Sequence, residues 1–225
     1  MAKSVNNRAM SQPQNRWALL GGTFDPIHIG HLRIAAQLRD LGFSKVLLIP
    51  NRIPPHRPQP QASGEQRLQM VSLGCESLTG VEPCAIELQR DDLSYSAVTV
   101  SALKQQHPEV QFTWVIGDDA WQGFEFWHQP LELLQLANLL VVSRPELDSA
   151  QQSNASDWQQ QQLSQRQSDI TQLLAAEHGR ICLKALPELD ISASYLRQAI
   201  KQGDNIRFLV PDAVLEYLNQ HQLYR

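Results

Sequence analysis

Trp17-Ala18-Leu19-Leu20-Gly21-Gly22-Thr23-Phe24-Asp25-Pro26-Ile27-His28-Ile29-Gly30-His31 divides into three parts, each with a physical task. Trp17 to Leu20 is a short apolar run that stops at a double glycine, the pattern of a buried parallel strand. Gly21 to Pro26 reads as a turn: two residues free to take positive φ, then an Asp-Pro pair that resists continuing either strand or helix. His28 to His31 leads into Leu32-Arg33-Ile34-Ala35-Ala36-Gln37-Leu38, which reads as helix. Strand, glycine-rich turn and helix N-terminus together make an anion site, because unpaired N–H groups and the helix dipole point the same way. Two histidines three residues apart add side-chain donors to the same anion. Gly30 between them lacks a Cβ, which lets a flat or bulky ligand lie against the backbone. The stretch reads as a phosphate site.

Outward from it, strand and helix patterns alternate. Gly42 stops the first helix, and Lys45 to Pro50 is the second strand. Asn51-Arg52-Ile53-Pro54-Pro55-His56-Arg57-Pro58 is either a solvated connector or a binding loop. Its place after a strand's carboxyl end, where open α/β sheets bind ligands, favours the second. Ser63-Gly64-Glu65-Gln66 forms a capping box for a helix to about Leu78, and Val81 to Leu88 suits a third strand. Ser94 is the candidate cap of a helix reaching about Gln106. Gln111 to Ile116 is a strong strand that ends at Gly117-Asp118-Asp119. Trp121, Phe124, Phe126 and Trp127 then crowd together, as core packing or as a surface on which a ring stacks. Leu139 to Val142 is a strand leading to Ser143-Arg144-Pro145. Residues 148–168 are rich in Gln and Ser and read as a tolerated surface insertion or a polar helix, with no chemistry. Arg180 to Leu186 is the last strand. Ile191 to Arg197 starts a helix with hydroxyls at its N-terminus, a second candidate phosphate site. Pro211 opens a C-terminal helix that packs through Val214, Leu215 and Leu218. The expectation is an α/β fold: one doubly wound, Rossmann-like parallel sheet over residues 16–225 with a small C-terminal helical segment, behind a disordered lead-in of residues 1–15.

The totals agree with a single buried core. The chain has 225 residues, 42% of them hydrophobic, and a formal charge of −4, which argues against a protein that coats polyanions. Cys75, Cys84 and Cys182 are odd in number and lack metal-like spacing, which suits a reducing cytoplasm. The polar N-terminus has no apolar segment of a signal peptide, and no run reaches transmembrane length. The chain is expected to work in the cytoplasm, without nucleic acid or membrane partners; a homodimer is left open.

GGTFDPIHIGH closely resembles the signature of the nucleotidylyltransferase superfamily, and His28-Ile29-Gly30-His31 also matches the HIGH sequence of class I aminoacyl-tRNA synthetases, for which this chain is too short. With IPNRIPPHRP, DDLSYSAVT, IGDDAW…FW, SRP and ISASYLR following in order, the chain from Trp17 to Arg225 resembles the bacterial nicotinate-nucleotide adenylyltransferases, apart from the Gln-rich region. The resemblance implies a reaction of ATP with nicotinic acid mononucleotide to deamido-NAD and pyrophosphate, with Mg²⁺ carried on ATP and no metal ligands from the protein. It implies catalytic roles for His28, His31 and Arg197. Gly22, Thr23, Phe24, Gly30, Gly117, Asp119 and Ser192 would bind ATP, and Asn51, His56, Ser96, Trp127 and Arg144 the mononucleotide. Ser96 and Ser194 stand where that family often has threonine, and Asp118 adds a charge where a neutral polar residue is expected. Two rival readings are the same chemistry on another acceptor, such as phosphopantetheine or glycerol phosphate, and a non-catalytic nucleotide-binding module.

Overall fold

In the computed structural model, which describes residues 15–52, 59–143 and 155–225, the apolar runs become six strands. They are β1 (Arg16–Gly22), β2 (Lys45–Pro50), β3 (Val81–Pro83), β4 (Gln111–Gly117), β5 (Asn138–Ser143) and β6 (Ile181–Ala185). All pairings are parallel, and the order across the sheet is β3-β2-β1-β4-β5-β6. Helices α1 (Ile29–Asp40), α2 (Gly64–Cys75), α3 (Ser96–Gln106), α4 (Asp118–Gln122), α5 (Pro130–Leu136), α6 (Asp157–Arg166), α7 (Ile170–Ala175), α8 (Ala193–Gln202) and α9 (Asp212–Gln220) connect or follow them. Among the described residues no helix is long and apolar enough to cross a membrane.

Both faces of the sheet are covered, so its strands are apolar without a clean alternation. The pleat still sorts them. Ala18, Val46, Leu48, Val115, Leu140 and Val142 enter one core, while Leu19, Leu47, Ile49, Trp114, Ile116 and Val141 enter the other. The chain leaves β1 for β2 on one side and returns as β4 on the other. Loops at the carboxyl ends of β1 and β4 therefore diverge and leave a crevice between them, the switch point of a doubly wound sheet. α9 packs by Val214 and Leu218, as its pattern predicts.

Several local readings change. Gly21 and Gly22 belong to β1 and neither has positive φ; in this segment Phe24 does, at 49°. The glycines are needed for space instead. A Cβ on Gly21 would meet the Trp114 ring at 2.8 Å, and one on Gly22 the Phe24 ring at 2.9 Å. The third strand stops at Pro83, and the chain turns through Ala85 to Arg90 rather than extending to Leu88. Helix α2 ends at Cys75, short of Leu78. Tyr95, not Ser94, is the N-cap of α3; the Ser94 hydroxyl accepts the Arg52 N–H instead. For part of the Gln-rich stretch the polar-helix reading holds, as the capped α6, but this helix buries Gln159 and Gln162 rather than lying wholly at the surface. Its Gln159 Nε2 donates to the Trp121 carbonyl, and Trp158 lies tilted against Phe124 at 6.1 Å. Of the expected lead-in, residues 1–14 lie outside the described residues; the Asn15 carbonyl accepts the Gln111 N–H that opens β4.

Candidate active site

Two cavities meet in the crevice. The larger, of about 610 Å³, is lined by Thr23, His28, Gly30, His31, Gly117, Ser192 and Arg197 among others. The smaller, of about 370 Å³, is lined by Gly22, Asn51, Glu87, Ser96, Trp127 and His128 among others. Leu20, Thr23, Ile116 and Gly117 line both, so the border lies over the carboxyl ends of β1 and β4. Of the residues expected for ATP, Gly30 and Ser192 line the larger space, Thr23 and Gly117 both, and Gly22 the smaller; of those expected for the mononucleotide, Asn51, Ser96 and Trp127 line the smaller.

The floor of the larger cavity is the start of α1. His28 is its N-cap, and the His28 and His31 rings stack with centroids 3.7 Å apart. The His28 main-chain N–H donates to His31 Nδ1 at 3.3 Å. Phe24 meets the His31 ring edge-on at 5.0 Å. His28 is 5% exposed, and burial lowers its pKa to about 4, so it is neutral near pH 7. Its Nδ1 is buried without a hydrogen-bond partner. A neutral imidazole keeps one N–H to donate, and nothing in the surroundings forces a second proton onto it. Gly30 lines the larger cavity and also gives this ring room: a Cβ there would sit 3.0 Å from His28 Nδ1.

The opposite wall is the start of α8. Ser192 caps the helix, its hydroxyl accepting the Tyr195 N–H at 3.2 Å. One turn on, Arg197 Nη1 donates to the Asp25 carbonyl at 2.7 Å and Nη2 to Ser194 Oγ at 3.2 Å. Two helix N-termini, two imidazoles and a guanidinium thus face one space, an arrangement that attracts a polyanion. Phe24 and Asp119 stand apart from both cavities. Phe24 is buried, its ring occupying the place of a Gly22 Cβ, and Asp119 is exposed on α4. Asp118 Oδ1 accepts the Asp119 N–H at 3.0 Å.

Around the smaller cavity, Asn51 Nδ2 donates to Thr23 Oγ1 at 3.3 Å. Trp127 is half-buried and rests against Phe124, and Tyr95 and His128 stack at 4.2 Å beside it. Ser96 begins α3, and Ser94, Tyr95 and Ser96 at its start line this space. His56 and Arg144 lie outside the described residues.

Sequence reading missed the groups beneath. Asp25, 3% exposed, accepts from the Gln61 and Ala62 N–H groups at 2.9 and 3.0 Å and from the Tyr224 hydroxyl at 2.6 Å. Arg67, 1% exposed, donates to the carbonyls of Thr23, Asn51 and Ala62. Burial lowers its pKa, with Asp25 the principal opposing charge. One signal for Arg67 was available: with Met70, Val71 and Gly74 it occupies the i, i+3, i+4, i+7 stripe of α2, where a charge needs a reason. Glu87 is buried in the smaller cavity, its carboxyl raised by burial and held by the Thr99 hydroxyl at 2.7 Å and by Ser94. No spacing pattern marks Glu87 or Tyr224. Among the described residues no group of three or more His, Cys, Asp and Glu could hold a metal ion.

Comparison with known proteins follows the same lines. Residues 19–199 match the model of the cytidylyltransferase-like family. A nicotinate-nucleotide adenylyltransferase from Salmonella typhimurium is 40% identical over 214 residues, which cover 92% of this chain and 98% of that one. Among solved structures, nicotinic acid mononucleotide adenylyltransferase of Plasmodium falciparum complexed with NaAD superposes with a TM-score of 0.70 at 15% identity, covering 93% of this chain and 97% of that one. The same enzyme complexed with APC gives 0.67 at 15% identity, with the same coverage of both chains. At that identity these two structures establish the shared fold.

Proposed function

The chain belongs to the nicotinate-nucleotide adenylyltransferase family, and from that premise we propose that it transfers the adenylyl group of ATP to nicotinic acid mononucleotide, giving deamido-NAD and pyrophosphate in NAD biosynthesis. The observation that carries the mechanism is the pair of adjoining cavities that share Thr23 and Gly117. ATP takes the larger space with its triphosphate over α1 and α8, and the mononucleotide takes the smaller, so that its phosphate meets the α-phosphorus at the border.

No covalent enzyme intermediate is needed. The acceptor phosphate, with a second pKa of about 6, is already an anionic nucleophile at neutral pH. One of its oxygens bonds to the α-phosphorus of ATP, the bond from that phosphorus to the bridging oxygen breaks, and the electron pair leaves with pyrophosphate. Negative charge grows on the nonbridging and departing oxygens, and the N–H donors of His28, His31, Arg197 and the two helix N-termini meet it. Catalysis is alignment and electrostatics rather than proton transfer. Magnesium would come as part of the ATP substrate, held by the phosphate oxygens. In this reading His56 and Arg144 join Asn51 on the mononucleotide side, and Thr23 lies at the border. Free thiols at Cys75, Cys84 and Cys182 suit work in a reducing cytoplasm.

The acid is favoured over the amide by the donors at the small cavity. A carboxylate only accepts hydrogen bonds, whereas a carboxamide also donates two, and the start of α3 offers N–H and Ser96 O–H groups. Glu87, the carboxylate nearby, is already engaged by Thr99 and Ser94. Polar mismatch of this kind is worth a factor of about 10⁴. The test is kcat/KM for nicotinic acid mononucleotide and for its amide, side by side with ATP and Mg²⁺. Equal values, or preference for the amide, would overturn the substrate assignment even with adenylyl transfer confirmed.

A further inference from the structure

The mechanism above uses Arg197 but leaves its environment unexplained. Its Nη1 is committed to the main-chain carbonyl of Asp25 at 2.7 Å, while the carboxylate of the same residue lies farther off, with Oδ2 at 3.8 Å from Nη1. A buried carboxylate beside a guanidinium ordinarily closes into a short, two-pronged pair, because both charges gain most that way. Here it is held back. Gln61 and Ala62 N–H groups each take one oxygen, and the Tyr224 hydroxyl takes Oδ1 at 2.6 Å, the shortest of the three bonds. Tyr224 comes 199 residues after Asp25, with positive φ and a 9% exposed side chain packed in the same core as Leu218, Val214 and Ile206. Burial and the bond to Asp25 raise its pKa far above the ordinary phenol range, so it remains a donor.

We infer that Tyr224 is a positioning residue for the transfer reaction: by holding Asp25 Oδ1 it keeps the carboxylate from closing on Arg197, and so leaves guanidinium N–H groups for the phosphates of the nucleotide. Arg197 is then fixed by neutral acceptors, the Asp25 carbonyl and Ser194 Oγ, that anchor it without neutralising it. The nearby carboxylate balances charge at a distance. An arginine fully paired with Asp25 would bind the triphosphate only after breaking that pair. The inference rests on the proposed role of Arg197.

Three variants test it: Tyr224→Phe, Arg197→Ala and the double substitution. Phe keeps the ring and its packing and removes only the hydroxyl. In Tyr224→Phe, kcat should fall about tenfold and the KM for ATP should rise, with the KM for the mononucleotide unchanged. In the Arg197→Ala background the same substitution should change nothing further, because the group it acts through is gone. Titration of the folded variant with ATP in the cold reads the same loss as weakened affinity, should turnover be obscured by lower stability. A Tyr224→Phe enzyme with wild-type kcat and ATP affinity, beside a slow Arg197→Ala enzyme, overturns the positioning role alone. A full, independent loss in the Arg197→Ala background does so too, since it would trace the effect to packing. Normal turnover in Arg197→Ala overturns both this inference and the assignment of Arg197.

Discussion

His31 Nδ1 accepts the main-chain N–H of His28 while the two rings stack 3.7 Å apart. The bond makes Nδ1 the acceptor and so leaves the proton of a neutral His31 on Nε2, and the stack sets the plane of the ring. One residue thus closes the first turn of α1 and aims a donor at the larger cavity.

Replacing His31 with Ala should therefore show both effects. Turnover should fall by roughly 10²-fold, from loss of a donor to charge that grows in the transition state. Stability should fall by about 1 kcal/mol, for the lost acceptor at the helix start. Steady-state rates and urea melts read the two separately. Near-normal kcat would remove His31 from the catalytic role.

His28 makes a pH-dependent contribution to stability. As pH falls, His28 in the unfolded chain takes up its proton near the ordinary 6.5, but the buried ring resists until about 4. The unfolded state binds more protons across that window. Stability present above pH 6.5 is thus lost progressively down to about pH 4, by roughly 3 kcal/mol at most. Asn at position 28 cannot titrate. Unfolding free energies for both proteins at about pH 7 and about pH 4.5 should show a smaller loss in His28→Asn; equal losses would show that His28 carries none of it.

Gly30→Ala is a test of ring placement. Its Cβ would lie 3.0 Å from His28 Nδ1, so the ring must shift by a few tenths of an ångström. Because a displaced donor loses transition-state stabilisation more readily than ground-state binding, kcat should fall roughly tenfold with the ATP KM little changed. An unaltered kcat would mean that the His28 position is not critical.

Arg67→Met retains most of the volume but removes the donors to Thr23, Asn51 and Ala62. Buried carbonyls without partners cost about 1–3 kcal/mol each, so destabilisation of roughly 3 kcal/mol or more is expected in denaturant melts. Arg67→Lys should recover little, since a single ammonium cannot span three carbonyls as the planar fork does. A near-wild-type melt for Arg67→Met would remove this anchor.

Gln159→Ala probes the Gln-rich helix. It should cost about 1–2 kcal/mol by freeing the buried Trp121 carbonyl, with thermal melts as the readout. An unchanged melting temperature would restore the reading of α6 as a dispensable insertion.

Local pattern carried much of the site. A strand, a turn and a histidine pair could be read from residues 17–31, because anion binding at a helix N-terminus needs contiguous groups. The hydroxyls at the start of α8, Ser192 among them, were legible for the same reason, whereas Arg197 came from the family resemblance. Gly21 and Gly22 were misread because conformational freedom is the usual argument for glycine, whereas here each makes room for a ring, supplied by Trp114 or Phe24. Asp25 with Tyr224 and Gln159 with Trp121 could not be read at all: each bond joins distant segments, and only the folded sheet brings them together. Composition suggested a surface role for the glutamines, yet an amide that satisfies a buried carbonyl belongs to the interior as firmly as a leucine.

The bond between Asp25 and Tyr224 also orders events in time. A ribosome adding about 5–20 residues per second needs roughly 10–40 s to travel the 199 residues from one to the other. The other strands of the sheet, α8 and Arg197 are all made during that interval, and Tyr224 comes after every one of them. A nascent chain thus acquires the walls of the crevice first, and the hydroxyl that holds Asp25 back from Arg197 is among the last groups to arrive.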